Sequence, residues 1–233
     1  MNLLDFLFPK FCVGCHQEGS YFCNKCLSKI KTVPQICPVC EKASVFGQTH
    51  LNCRSRYSLD GLTSLFTYEG IIKEAIHKIK YQFVTDLTKE LMEFVFQQLA
   101  TEKEQKYLVF EKFLLQKGAI IVPVPLYWYK ENTRGFNQAS LIAKFISLHY
   151  KVPLNAKVLK RKKWTISQTG LSEEERKENV KNIFSVSPNI LISQYPNILL
   201  LDDVWTTGST IKEAAKTLKK AGIEKVWGFT VAR

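Results

Sequence analysis

From residue 62 onward the apolar positions alternate between two rhythms. Residues 62–68 are rich in β-formers and lead into GIIKEAIHKIK. There Ile71, Ile72, Ala75, Ile76 and Ile79 recur on one helical face, with Lys73, Glu74 and Lys78 opposite. His77 falls among the polar positions and reads as exposed. A second helix is predicted over residues 86–100 and a strand over 119–126, AIIVPVPL. A helix starting near Asn137 carries an apolar stripe of Leu141, Ile142, Phe145 and Ile146. Residues 198–201 are apolar without alternation, as in a strand buried on both faces of a parallel sheet. A helix over 209–221 and a strand over 225–232 complete the series, and strands alternating with helices predict an α/β sheet.

The first 58 residues lack this rhythm and carry all seven cysteines, between positions 12 and 53. The pattern therefore divides the 233-residue chain into a small module, 1–58, and a larger domain, 59–233. Near its start, Leu3, Leu4, Phe6, Leu7 and Phe8 read as packing contacts, with a membrane-surface or partner contact as the alternative. Asp5 and Pro9 interrupt that stretch, and no run of 18 apolar residues occurs, so neither a signal peptide nor a transmembrane segment is predicted. The expected location is cytoplasmic.

Six cysteines form CxxC pairs: Cys12 with Cys15, Cys23 with Cys26, and Cys37 with Cys40. HLNC repeats the spacing with His50 and Cys53. Each CxxC turn brings two thiolates to one ion, and tetrahedral zinc requires two such knuckles. Eight ligands make two closed, structural sites. The short linkers favour sequential pairing, which groups Cys12, Cys15, Cys23 and Cys26, then Cys37, Cys40, His50 and Cys53. Spacing alone leaves a cross-braced pairing open. His16, next to Cys15, reads as an exposed residue or as one that supports the ligands without binding the metal.

The segment ILLLDDVWTTGST, 198–210, runs strand, paired acids, loop, helix. Loops at the carboxyl ends of parallel strands open into ligand crevices. Gly208 permits close backbone approach, the helix start presents free N–H groups, and Thr206, Thr207, Ser209 and Thr210 add hydroxyls. Asp202 and Asp203 suit a phosphate site only if the ligand also offers hydroxyl groups. A ribose 5-phosphate offers both. The net charge of +12, of which +9 lies beyond residue 60, favours an acidic partner.

With these motifs in view, the chain resembles the ComF (ComFC) competence-protein family over essentially its whole length. The resemblance rests on PVPL at 123–126, RGFNQ at 134–138, the terminal TVAR and the four-knuckle module. Histidine at position 50 departs from the family pattern, which has cysteine there. The resemblance implies a type I phosphoribosyltransferase-like parallel sheet with helices on both faces, preceded by a zinc-ribbon module. It implies binding of phosphoribosyl diphosphate (PRPP) with magnesium: Asp202 and Asp203 on the ribose hydroxyls, Thr206 to Thr210 on the 5-phosphate, and Pro125 and Leu126 near the pyrophosphate. Arg134 is divided between a pyrophosphate contact and a helix-entry residue, and Asn137 reads as a helix cap.

Residues 160–179 resemble the family's mobile loop. Lys160, Arg161, Lys162, Lys163 and Trp164 are candidates for phosphate contact and base stacking on single-stranded nucleic acid, or else belong to a solvated basic loop that closes over PRPP or is simply exposed. Two functions follow. One is a PRPP-binding component of natural transformation that handles imported single-stranded DNA at the inner face of the membrane, beside a helicase or channel partner. The other is an active phosphoribosyltransferase with an unknown nitrogen acceptor in nucleotide metabolism. Without a recognisable acceptor pocket or general base, the sequence leaves catalysis undecided.

Overall fold

A computed structural model of the chain describes residues 9–82, 85–101, 105–163, 175, 178–188 and 194–233. The apolar residues before Lys10 whose packing was at issue, and Trp164, lie outside the described residues.

Four parallel strands form the central sheet in the order β1, β6, β5, β2: β1 is Gly61–Phe66, β2 Ala119–Pro123, β5 Asn197–Val204 and β6 Lys225–Ala232. Successive residues of β5 serve opposite cores. Leu199 and Leu201 pack with helices α2 (Gly70–Gln82), α3 (Thr85–Thr101), α4 (Leu108–Leu114) and α6 (Gln138–Tyr150). Ile198 and Leu200 pack with α7 (Ser209–Lys220) and the antiparallel pair β3 (Leu159–Arg161) and β4 (Phe184–Val186). The continuous apolar run is thus the signature of a strand covered on both faces, and the predicted α/β sheet with helices on both sides is the observed fold.

Three boundaries differ from expectation. The strand predicted over 119–126 ends at Pro123, because the imide nitrogens of Pro123 and Pro125 cannot extend a ladder. The chain continues beside β5 through one bond, Val124 N–H to Leu201 O at 2.8 Å. The strand expected over 62–68 is Gly61–Phe66. Part of the basic segment expected as a loop is instead strand β3, with Leu159 buried and Lys160 exposed across from Ser185.

The cysteine-rich residues, which include the short helix α1 (Asn24–Leu27), lie along β1. Val33 N–H donates to Leu65 O at 2.9 Å, and Thr67 N–H donates to Lys31 O at 3.0 Å. Buried Gln35 imitates a further strand residue: its amide nitrogen donates to Ser64 O at 2.7 Å and its oxygen accepts from Ser64 N–H at 3.3 Å. These contacts cover an edge that would otherwise present unpaired backbone groups. Val13 and Phe22 enter the same apolar cluster as Leu65, Phe66 and Ile72.

Candidate functional site

The eight metal-ligand candidates gather into two sets, Cys12, Cys15, Cys23, Cys26 and Cys37, Cys40, His50, Cys53, with the donor atoms of each set within 4.8 Å of one another. The sets follow the sequential pairing. In the first, Cys23 Sγ lies 3.7 Å from Cys12 Sγ and 3.6 Å from Cys15 Sγ. A tetrahedron with zinc–sulfur arms of about 2.3 Å has edges of about 3.8 Å, so the spacing fits a single ion. In the second, Cys40 Sγ is 3.4 Å from His50 Nδ1, while His50 Nε2 lies 3.1 Å from Ala43 O. Donation from Nε2–H to that carbonyl leaves the Nδ1 lone pair for a metal.

The thiols themselves call for a cation. Burial works against a Cys12 thiolate, but backbone N–H groups of Cys23, Cys15 and Gly14 outweigh it and bring the thiol down to about 6. Burial and the neighbouring thiols push Cys26 up to about 12. Four such groups coexist as thiolates only around a positive ion.

A second feature is a cleft of about 610 Å³ at the carboxyl ends of β1, β2 and β5. Asp202 and Asp203 lie near the carboxyl end of β5, and the loop to α7 with that helix's first turn supplies Thr206, Gly208, Ser209 and Thr210 to the wall. Pro125 and Leu126 also line it. Thr207 is not part of the lining. Its hydroxyl is 2.6 Å from that of Ser209, and its carbonyl accepts from Lys212 Nζ at 3.2 Å, so it shapes the loop from behind.

Gly208 has φ +67°, and a Cβ there would lie 2.1 Å from the buried Trp205 indole. Both restrictions act at one position. Gly208→Ala is expected to cost about 1–3 kcal/mol in thermal or denaturant unfolding, through backbone strain and displacement of the loop from Trp205.

The two carboxylates differ in electrostatic role. Burial pushes the Asp203 carboxyl up, but the Lys80 ammonium paired with it, and hydrogen bonding that includes Gln138 Nε2 at 3.4 Å, hold it below its usual range. Asp202 is pushed well above the carboxylate range by burial first and by the Asp203 charge second. Its Oδ1 accepts from Asp203 N–H at 2.9 Å. The lining also includes the cationic Lys73, Lys130 and Arg161. Burial, then repulsion from Arg161 and Arg134, holds Lys130 below its ordinary value. Such crowding suits a multiply charged anion.

Several placements were not evident beforehand. Lys80, Lys73, Tyr68, Tyr81, Lys130 and Gln138 all line the cleft. His77 is exposed as expected, yet it faces the cleft and packs on Tyr81 at 4.7 Å between ring centroids. Arg134, at the end of α5 (Trp128–Arg134), reaches the cleft indirectly: it lies 5.2 Å over the Tyr81 ring and donates to Gln138 Oε1. Asn137 caps α6, accepting from Ala139 N–H at 3.0 Å, and its amide donates to Val124 O at 3.0 Å. The basic cluster divides. Arg161 lines the cleft, Lys160 points into a neighbouring groove, and Lys162 and Lys163 are exposed.

No protein-family model matches the chain. It is similar to Competence protein F of Haemophilus influenzae, with 30% identity over 239 aligned residues spanning the whole of both chains. It is 29% identical to Competence protein ComFC of Bacillus subtilis, over 91% of this chain and 83% of that one. It is 26% identical to DNA utilization protein YhgH of Escherichia coli, over 91% of this chain and 89% of the relative.

Proposed function

Because the chain belongs to the ComF competence-protein family, we propose that it binds PRPP with magnesium and serves in natural transformation, handling imported single-stranded DNA. The observation that carries the ligand assignment is the paired carboxylates ending β5 beside a hydroxyl-lined helix entry, within a cleft that also holds cations. Carboxylates recognise ribose hydroxyls, the loop amides and hydroxyls hold the 5-phosphate, and Lys73, Lys130 and Arg161 face the pyrophosphate with its magnesium. The relatives' names supply the process, and the net charge of +12 suits a polyanionic strand. In this reading the protein works at the cytoplasmic face of the membrane; among the described residues no helix is long and apolar enough to cross it.

Thermal unfolding with PRPP and magnesium tests the ligand. At a hundredfold excess over Kd, binding adds about 2.7 kcal/mol, a rise of roughly 5–10 °C for a chain of this size. The rise is expected in the wild type and absent in the double variant Asp202→Asn, Asp203→Asn. No shift in the zinc-loaded wild type would remove the PRPP assignment.

Phosphoribosyl transfer is a second reading, favoured by the position of the carboxylates, whose charge would stabilise a developing positive sugar ring. Magnesium-dependent pyrophosphate release with a nitrogen acceptor supports it. PRPP binding without release across candidate acceptors counts against it.

A further inference from the structure

Beside the ligand cleft runs a second groove of about 600 Å³, and Pro125, Leu126 and Arg161 belong to the walls of both. Its lining includes Trp128, the first residue of α5, 60% exposed. Its ring is 5.7 Å from that of Tyr127 and 6.0 Å from that of Tyr129, which steady it without covering it. Lys157 and Lys160 add two exposed ammonium groups, and Asn155 and Ser187 add uncharged polar groups. Against these three cations, Arg161 included, stands one carboxylate, Glu131.

The exposed indole and the 53%-exposed ring of Tyr129 beside it form an aromatic patch at the groove, which offers flat faces to a stacking partner. The cations call for a partner with negative charge. A single strand of nucleic acid has both: unpaired bases that stack on aromatic rings and phosphates that track basic side chains. A duplex hides its base faces, and an acidic peptide has no need of the indole.

We propose that this groove holds a segment of single-stranded DNA, with a base stacked on Trp128 and adjacent phosphates on Lys157 and Lys160. Arg161 joins the strand site to the sugar-phosphate cleft. The assignment rests on the DNA-handling role proposed above and moves the centre of contact from the basic segment 160–164 to Trp128 of α5 with Lys157 and Lys160.

The test is fluorescence anisotropy of a labelled oligothymidylate on the full-length, zinc-loaded chain, over a range of salt concentrations. Trp128→Ala is expected to weaken binding about 5- to 150-fold, the range of base–aromatic stacking. Trp128→Phe retains most of the affinity. The double variant Lys157→Gln, Lys160→Gln lowers the slope of log affinity against log salt by about 1.4, which corresponds to two lost phosphate contacts on a single strand. The PRPP-induced thermal shift stays at the wild-type value in all three, because none of these residues lines the sugar-phosphate cleft.

Wild-type affinity in Trp128→Ala overturns the groove assignment while leaving the DNA role standing; a groove that docks a protein gives that result. Loss of the PRPP shift in Trp128→Ala also overturns it, since the residue would then act through the fold. Absence of oligonucleotide binding by the wild type at low salt removes the DNA role and the groove assignment together.

Discussion

Stripping metal from both cysteine clusters of the intact chain is expected to unfold the residues before β1 and to lower the melting temperature of the remaining α/β sheet by roughly 10–20 °C. The first effect follows from size. About fifty residues without a core of their own depend on metal, and a structural zinc site supplies about 10 kcal/mol or more of apparent folding free energy. The second follows from contacts the structure shows. Val13 and Phe22 are buried in the cluster that holds Leu65, Phe66 and Ile72, and exposing each costs about 1.5–3 kcal/mol. Val33 and Gln35 would also release their bonds to β1. Together these give a few kcal/mol, and each is worth about 2–4 °C in a chain of this length.

Loss of metal would also reach the ligand loop. Glu41, next to Cys40, accepts from Lys212 Nζ at 2.7 Å, and the same ammonium donates to Thr207 O and lies 5.0 Å over Trp205. Metal release measured alongside limited proteolysis, circular dichroism and PRPP-dependent melting checks all three effects. A proteolysis pattern and melting curve unchanged after complete metal removal would show that the cysteine clusters stabilise nothing.

What the sequence made legible is what lies within a few consecutive residues. A CxxC knuckle is local, so its spacing reveals its chemistry. The run from Ile198 to Thr210 is local too: strand, acids, loop and helix entry occupy consecutive positions, and the cleft preserves that order. Lys80 was not legible. Its helical pattern makes it an ordinary polar residue of α2, and only the docking of α2 against the end of β5 turns it into the counter-ion of Asp203. The separate place of Arg161 within its basic cluster was hidden for a related reason. In a string of basic residues nothing marks the one that the β3–β4 pairing directs into the cleft. Trp128 gave no signal because an aromatic in an amphipathic segment reads as core until its exposure is seen.

The Lys80–Asp203 pair predicts that two single substitutions in one cleft move stability in opposite directions. Lys80→Met leaves a 5%-exposed carboxylate without its counter-ion and beside a second carboxylate. The expected loss near neutral pH is about 3–5 kcal/mol, the usual consequence of breaking a buried pair from one side.

The pH dependence follows from the two shifts. Asp203 has a depressed folded pKa, so its contribution is present above the unfolded carboxylate value of about 4 and is lost as pH falls through the folded value. The deficit of Lys80→Met therefore shrinks in acid. Asp202 has a raised folded pKa, so the native state holds its proton more tightly than the unfolded chain does, and stability declines as pH rises through that folded value. Asp202→Asn keeps the shape of the protonated form and removes this decline. It is expected to raise stability at neutral pH by about 1 kcal/mol while losing the PRPP-induced shift. Melting temperatures of the three proteins from pH 4 to 8 check both signs. Equal stability of Lys80→Met and wild type at neutral pH would mean that the carboxylates are solvated, and would remove the electrostatic asymmetry between Asp202 and Asp203 on which the proposed ligand assignment draws.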